Sequence, residues 1–283
     1  MSIAPEARVT SVSLTVSDLG RSLAFYRSIG FDATPTGANH AALGPPGARP
    51  FLYLEARPNA PHPHGATGLF HFAVLHPDRA ALARALRHMA QARIRFTGFA
   101  DHLVSEALYF SDPDGNGIEY YRDRPRDQWT RHGGQVKMTT DPLDIDSLLA
   151  EAADSPATWP GLEPGTRLGH MHLQVAHIPP AEQFYRDALG FDITCRFGPQ
   201  ASFFAAGGYH HHIATNTWAG VGAPPPPEGS VGLREFTIEV PNEAAVRNAA
   251  ERLTTHRVAF REDGHDLLTE DPSRNRVRIS PAA

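Results

Sequence analysis

The chain has 283 residues, a length typical of two domains, and its 41% hydrophobic and 20% charged residues indicate a globular protein with packed cores. A net charge of -5 argues against a nucleic-acid or anionic-membrane partner, and no apolar run approaches the ~20 residues that a membrane span needs. Cys195 is the single cysteine and the N-terminus lacks a signal-peptide pattern, so we expect a cytoplasmic protein without disulfides.

The sequence is duplicated. Residues 12–27 resemble residues 171–186, and both segments end in Phe-Tyr-Arg. Residues 112–119 resemble residues 271–278 with the same separation along the chain. Self-similarity at a fixed spacing is the signature of repeated structural units, and it indicates two similar halves.

Each half divides again, because Gly68 and Gly232 open a second strand and helix pattern. The sequence therefore predicts four modules, each a strand, a helix and further strands. We predict an N-terminal domain at 1–125, a connector rich in Pro, Asp, Arg and Gly at 126–165, and a C-terminal domain at 166–283.

Hydrophobic period predicts the elements of the first half. Apolar Val12, Leu14 and Val16 alternate with polar residues, which predicts a strand with one packed face and one free face. The same period places His71 and Glu119 on the free faces of later strands. A helical pattern begins after Asp18, a residue suited to capping a helix. Similar helical patterns cover residues 78–91 and, in the second half, residues 242–254.

Histidines occupy the free faces in the second half. The strand that begins at His170 alternates with apolar residues, so His170 and His172 lie on its free face. In the triple-histidine stretch, packing of the following isoleucine places His210 and His212 on the free face. A one-residue slip in register would select His211 instead.

The free faces predict a metal site. His170, His212 (or His210 in its place) and Glu235 provide two imidazoles and a carboxylate, the set that holds Fe(II) with positions left for substrate and oxygen. The same donors suit Zn or Mn on ligand type alone. Arg278 faces the same predicted cavity, where it could stabilise an anionic substrate oxygen. The first half supplies a second candidate pair, His71 and Glu119.

These features resemble the vicinal-oxygen-chelate superfamily, which includes glyoxalase I, fosfomycin-resistance proteins, methylmalonyl-CoA epimerase and extradiol dioxygenases. The local matches are Val16-Ser-Asp-Leu, Phe25-Tyr26, Gly30-Phe31 and residues 112–119. The organisation is most similar to the two-domain, catechol-2,3-dioxygenase-like branch. The resemblance implies an α+β fold of four βαβββ modules, paired into two similar domains, each a curved mixed sheet around a cavity.

The resemblance also implies residue roles. Extradiol enzymes hold Fe(II) with a first-strand His, a module-opening His and a closing Glu; His71 and Glu119 match the last two, while Ser11 stands at the first position. His102 resembles the acid–base His, and Tyr109 the Tyr that binds a substrate oxygen. In the second half His170 matches the first-strand His, but Arg278 stands where the closing Glu would be.

We therefore predict a ring-cleaving dioxygenase that uses a divalent metal, Fe(II) foremost, with an aromatic substrate and O2. The predicted catalytic residues are His102, Tyr109 and Arg278, and the predicted substrate-binding residues are His172 and His210. A glyoxalase- or epimerase-like metal enzyme without oxygen chemistry is one alternative. A small-molecule binding or resistance protein is another. Modules of this family are known to exchange between chains, which leaves a homodimer open.

Overall fold

Each of the four repeated sequence units folds as a strand, a helix and three further strands. The computed structural model describes residues 2–156 and 158–282. The first module contains β1 (Arg8–Val16), α1 (Leu19–Ser28), β2 (Asp32–Pro35), β3 (His40–Gly44) and β4 (Leu52–Ala56). The second contains β5 (Gly68–Leu75), α2 (Arg79–Gln91), β6 (Phe96–Asp101), β7 (Ser105–Ser111) and β8 (Gly117–Asp123).

The second half follows a connector made of a 3₁₀ turn (Arg126–Gln128), a hairpin of β9 (Arg131–His132) and β10 (Gln135–Val136), and α3 (Ile145–Ala150). The third module has β11 (Arg167–Gln174), α4 (Ile178–Glu182, continued as a π-helix to Ala188), β12 (Asp192–Phe197), β13 (Ala201–Ala205) and β14 (Ile213–Asn216). The fourth has β15 (Gly232–Val240), α5 (Glu243–Thr255), β16 (Phe260–Asp263), β17 (Asp266–Glu270) and β18 (Arg276–Pro281).

Side chains at the helix starts fix where four of the helices begin. Asp18, Asp78, Asp144 and Asn242 precede α1, α2, α3 and α5, and each side chain accepts a hydrogen bond from a backbone N–H of the first turn. Such a cap contributes about 1 kcal/mol, because it satisfies a donor that the helix leaves free. The helices predicted at 78–91 and 242–254 are confirmed to within about one residue.

The strands form two eight-stranded mixed sheets, and each sheet combines the two halves of the chain. The first sheet has the order β16-β17-β18-β15-β1-β4-β3-β2, so it joins modules one and four. The second sheet has the order β12-β13-β14-β11-β5-β8-β7-β6 and joins modules two and three. The predicted domains at 1–125 and 166–283 thus correspond to the two halves of the sequence repeat. Each sheet, however, pairs strands of one half with strands of the other.

The central strands of both sheets share one hydrophobic core. Val12, Phe72, Met171 and Phe236 are completely buried, one from each of β1, β5, β11 and β15. Burying a side chain of this size contributes roughly 1.5–3 kcal/mol. Because successive strand residues point to opposite faces, this packing sends the intervening polar residues to the other face. In the second sheet those residues line a cavity of about 370 Å³.

The connector does more than join the halves. Met138 and Thr140, which follow the β9–β10 hairpin, line the same cavity as the second sheet. The intervening Thr139 carbonyl accepts a hydrogen bond from His102 Nδ1 at 2.6 Å. None of the helices in the described parts of the chain is long and apolar enough to span a membrane.

Candidate metal centre

Three buried side chains from neighbouring strands meet at the floor of the cavity: His71, Glu119 and His170. Strand β5 lies between β8 and β11, and its Ala73 pairs with both Glu119 and His170. His71 precedes Ala73 by two residues and therefore points to the same face. The strand order, rather than any local motif, brings the three groups together.

The spacing of the three donor atoms fits one metal ion. Glu119 Oε2 lies 3.0 Å from His71 Nε2 and 3.0 Å from His170 Nε2, and the two nitrogens are 3.4 Å apart. Bonds of about 2.1 Å separate ligand atoms by about 3.0 Å at right angles and about 3.4 Å at tetrahedral angles. The three donor atoms therefore have the mutual spacing that one shared cation requires.

The surroundings of Glu119 and His71 keep both side chains in the protonation states that bind a metal ion. Burial alone would raise the pKa of Glu119, but His170 and His71 hold that pKa well below its usual value. Burial lowers the pKa of His71, against the opposing effect of Glu119. The carboxylate is therefore ionised and the His71 imidazole neutral at neutral pH, the forms in which they bind metals.

The predicted grouping of His170, His212 and Glu235 is corrected by the structure. Glu235 lies on β15 in the first sheet, where its carboxylate accepts a hydrogen bond from Arg278 at 2.7 Å. His212 packs against Phe191 and Tyr209, and its Nδ1 accepts a hydrogen bond from the Ala206 backbone N–H. Only His170 belongs to the centre, and it joins the second candidate pair.

The prediction that His210 and His212 share the free face of a strand is wrong, because the triple histidine is not part of a strand. β14 begins only at Ile213, and Gly207 and Gly208 turn the chain with positive φ angles of 58° and 69°. The strict alternation of a strand therefore does not apply to the histidines. His211 lines the cavity, whereas His210 lies outside the set of cavity-lining residues.

The first sheet carries a counterpart of the centre in which the metal ligands are replaced. Ser11 and Thr237 pair in β1 and β15, and Thr237 pairs with Arg278 in β18, the same register that relates His170, Ala73 and Glu119. Glu235 stands in the place of His71. The predicted catalytic role of Arg278 in a shared cavity is thus also corrected, because Arg278 belongs to the other sheet.

The guanidinium of Arg278 is surrounded by carboxylates. It donates to Glu235 at 2.7 Å, Asp266 at 2.8 Å and Asp263 at 3.0 Å. Burial alone would lower its pKa, but these carboxylates hold the pKa of Arg278 above its usual value. A fixed side-chain cation thus occupies this counterpart position.

His102 and Tyr109 line the cavity together. His102 Nδ1 donates to the Thr139 carbonyl, so in the neutral ring Nε2 carries the lone pair and accepts from the Tyr109 hydroxyl at 2.7 Å. Burial, and after it Glu119, raises the pKa of Tyr109 well above its usual value. Tyr109 is therefore a protonated phenol between His102 and the centre.

His172 lines the cavity in a defined tautomer. The Trp218 backbone N–H donates to Asn216 Oδ1, which turns Asn216 Nδ2 to donate to His172 Nε2 at 3.0 Å. Burial, and after it His71, lowers the pKa of His172 well below its usual value. His172 is therefore neutral, with its proton on Nδ1.

A chain of hydrogen bonds supports His211. The Asp123 carboxylate accepts from His210 Nε2 at 2.8 Å, and His210 Nδ1 lies 2.7 Å from His211 Nδ1. Burial, and after it His170, lowers the pKa of His211 well below its usual value. The neutral His211 thus donates through Nδ1 to His210 and keeps a lone pair on Nε2, at the wall beside His170.

One of these groups had a signal in the sequence, because His211 is the register alternative for the triple histidine. Asp123 and the connector residues carried no signal, because their roles depend on contacts between segments far apart in sequence.

Comparisons with known proteins agree with this architecture. Residues 8–120 and 167–279 match the model of the Glyoxalase/Bleomycin resistance protein/Dioxygenase superfamily. The chain is 43% identical over 277 residues to "Catechol-2,3-dioxygenase" of Bacillus subtilis (strain 168), covering 96% of each chain.

Solved structures share the fold at lower identity. Glyoxalase I from Zea mays superposes with a TM-score of 0.57 at 14% identity, covering 97% of this chain and 92% of that one. The cppA protein from Streptococcus pneumoniae TIGR4 superposes with a TM-score of 0.55 at 10% identity, covering 97% and 99%. The superfamily match over both halves and the four paired modules show that the chain belongs to the glyoxalase/bleomycin resistance protein/dioxygenase superfamily.

Proposed function

We propose that the chain is an iron-dependent dioxygenase of the extradiol type, which opens the ring of a catecholic substrate beside its two hydroxyl groups. The convergence of His71, Glu119 and His170 carries the proposal, because two imidazoles and one carboxylate would hold Fe(II) and leave further coordination positions for substrate and O2. The name of the Bacillus subtilis relative, at 43% identity over nearly the whole of both chains, supports it.

The residues of the centre would hold the metal, and the surrounding residues would orient the substrate. Bound iron supplies Lewis acidity toward the substrate oxygens and a position for O2. The Tyr109 hydroxyl and the Nδ1–H of His172 are hydrogen-bond donors on cavity-lining side chains, suited to fix substrate oxygens. The apolar walls exclude water from the reacting groups.

Proton transfer would use His211. Catechol must lose a hydroxyl proton to chelate a metal through both oxygens, and the Nε2 lone pair of neutral His211 can accept it. The resulting imidazolium is stabilised through His210 by the Asp123 carboxylate. His102, which resembles the family's acid–base His, is instead bonded at both ring nitrogens, which suits it to orienting Tyr109.

Metal content and oxygen uptake test the proposal. We expect about one iron per chain, lost in His71→Ala, Glu119→Gln and His170→Ala together with about a hundredfold or more of the catechol-dependent oxygen uptake. Glu235→Gln is the control, since it makes the same change in a carboxylate of the first sheet, at the position that corresponds to His71. This variant should keep both metal and activity.

Other results would select a different function. Loss of metal in Glu235→Gln but not in Glu119→Gln would place the centre in the first sheet. A retained divalent metal with isomerase or epimerase turnover under argon would favour the glyoxalase-like alternative. Saturable catechol binding without product, in the iron-loaded protein, would favour a binding or resistance protein.

A further inference from the structure

The cavity above the candidate metal centre offers no cation to a substrate. Glu119 is its single lining carboxylate, and neither Lys nor Arg of the described residues lines it. Two arginines lie at the end of β8, the strand that carries Glu119, and both pair with carboxylates that do not line the cavity. Arg122 pairs with Glu106 at 2.6 Å, and Arg124 pairs with Asp101 at 2.6 Å. An anionic substituent in this cavity would find no counter-charge.

Aromatic side chains form the outer wall of the cavity. Phe70 and Trp218 meet edge to face with ring centroids 5.0 Å apart, and Phe203 packs against Phe197 at 5.2 Å. Trp218 is 47% exposed, which places it at the mouth, whereas the metal-ligating residues are almost completely buried at the floor. Polarity therefore decreases from floor to mouth.

The polarity gradient sets the orientation of the ligand, and the volume of the cavity sets its size. The hydroxyl groups of a catechol belong at the floor, beside the imidazoles and the Tyr109 hydroxyl, and the rest of the ring points toward Phe70 and Trp218. A volume of about 370 Å³ lies near the lower end of the range for small-molecule sites. It suits one aromatic ring with a short substituent.

Building on the proposed function, we infer that the substrate is an uncharged, single-ring catechol with an apolar substituent, and that catechols with a carboxylate side chain are excluded. A carboxylate moved from water into an apolar cavity without a partner loses its hydration and gains no ion pair. An alkyl group gains from burial, because each buried methylene contributes about 0.8 kcal/mol, roughly fourfold in an equilibrium constant.

Two series of probes test this inference on the iron-loaded full chain. One series is catechol, 4-methylcatechol and 4-ethylcatechol; the other is 3,4-dihydroxybenzoate and 3,4-dihydroxyphenylacetate. We expect kcat/KM, from oxygen uptake, to rise roughly fourfold per added carbon. The carboxylated probes should fall about a hundredfold or more below catechol.

Two variants locate the cause in the cavity. Trp218→Ala removes the apolar mouth and should flatten the alkyl series, while Val221→Ala, a nearby exposed residue outside the cavity, should leave the series unchanged. Thr140 lines the cavity yet is exposed, so Thr140→Arg adds a cation without disturbing the core. This variant should raise kcat/KM for the carboxylated probes about tenfold or more.

The results distinguish an error in the inferred substrate class from an error in the proposed dioxygenase function. Turnover of catechol, with the carboxylated probes equal to it or better, overturns the substrate class and leaves the dioxygenase intact. A flat alkyl series in the unmodified chain also overturns it. If no catechol binds or consumes oxygen in the iron-loaded chain, the proposed function fails and the substrate class fails with it.

Discussion

At the scale of single residues, His76 shows what burial does to an imidazole that has no partner. It is 1% exposed, packs against Tyr120 with ring centroids 4.9 Å apart, and forms no side-chain hydrogen bond to the described residues. Burial lowers the pKa of His76 to about 3. His71 and His170 are as deeply buried, but both face the carboxylate of Glu119. That contrast distinguishes a packed imidazole from one arranged to bind a cation.

The pKa of His76 predicts how stability depends on pH. The unfolded chain binds a proton near pH 6.5, whereas the folded chain accepts it only near pH 3. Between these values, protons favour the unfolded state, so the free energy of unfolding falls as pH falls, by about 1.4 kcal/mol per pH unit from this group. His76→Phe keeps the ring packing and should remove that part of the slope.

Urea denaturation of wild type and His76→Phe at several pH values from 6.5 to 5 measures the difference. His132→Gln serves as the control, because it removes an exposed imidazole of the β9–β10 hairpin rather than a buried one. Every other titrating group is common to the proteins compared. Parallel slopes for His76→Phe and wild type would mean that His76 titrates normally in the folded chain.

At the scale of elements, alternation along a strand fixed which face each candidate ligand occupies. His71, Glu119 and His170 all lie on the free faces that the period of two predicts. The period carries no information on which strands become neighbours, and the pairing of β11 with β5 decides the ligand set. His210, His211 and His212 lie outside any strand, so their directions depend on a glycine turn and on tertiary contacts.

The counterpart cluster on the first sheet leads to a prediction about Arg278. Arg278→Met keeps the aliphatic stem but leaves Glu235, Asp263 and Asp266 without their cation. We expect the free energy of unfolding to fall by on the order of 1–3 kcal/mol, because the half-buried Glu235 and Asp266 and the more exposed Asp263 lose a charged donor and repel one another. Urea denaturation of the folded protein measures this loss.

Two further variants test that explanation. Arg276→Met removes a more exposed arginine from the same strand, paired with the exposed Glu270, and should cost less than about 0.5 kcal/mol. Adding Glu235→Gln to Arg278→Met should recover part of the lost stability, since one repelling charge is gone. Equal losses for Arg276→Met and Arg278→Met would show that the cluster has no special role.

At the scale of the whole molecule, the centre belongs to neither half of the chain alone. His71 and Glu119 come from the first half and His170 from the second, joined by the antiparallel pairing of β5 with β11. The first sheet repeats this arrangement through β1 and β15. The halves are thus held together by two strand ladders and a shared core, in addition to the covalent connector.

This interleaving predicts that a cut in the connector leaves the protein assembled. Gly133 and Gly134 form the exposed turn of the β9–β10 hairpin, with φ angles of 56° and 82°, so a protease site inserted between them should not disturb either sheet. After cleavage, we expect the fragments to elute together on a native sizing column and to keep the bound metal. They should separate only in denaturant.

The uncleaved insertion variant controls for the insertion itself. Separation of the fragments in native buffer would mean that the ladders β1–β15 and β5–β11 do not hold the halves without the covalent link. Loss of metal from fragments that still elute together would instead assign the connector a direct role in the centre. The connector contacts the cavity through the Thr139 carbonyl, which accepts a hydrogen bond from His102, and through the side chains of Met138 and Thr140 on either side of it. Ala substitutions at Met138 and Thr140 would then be compared for metal retention.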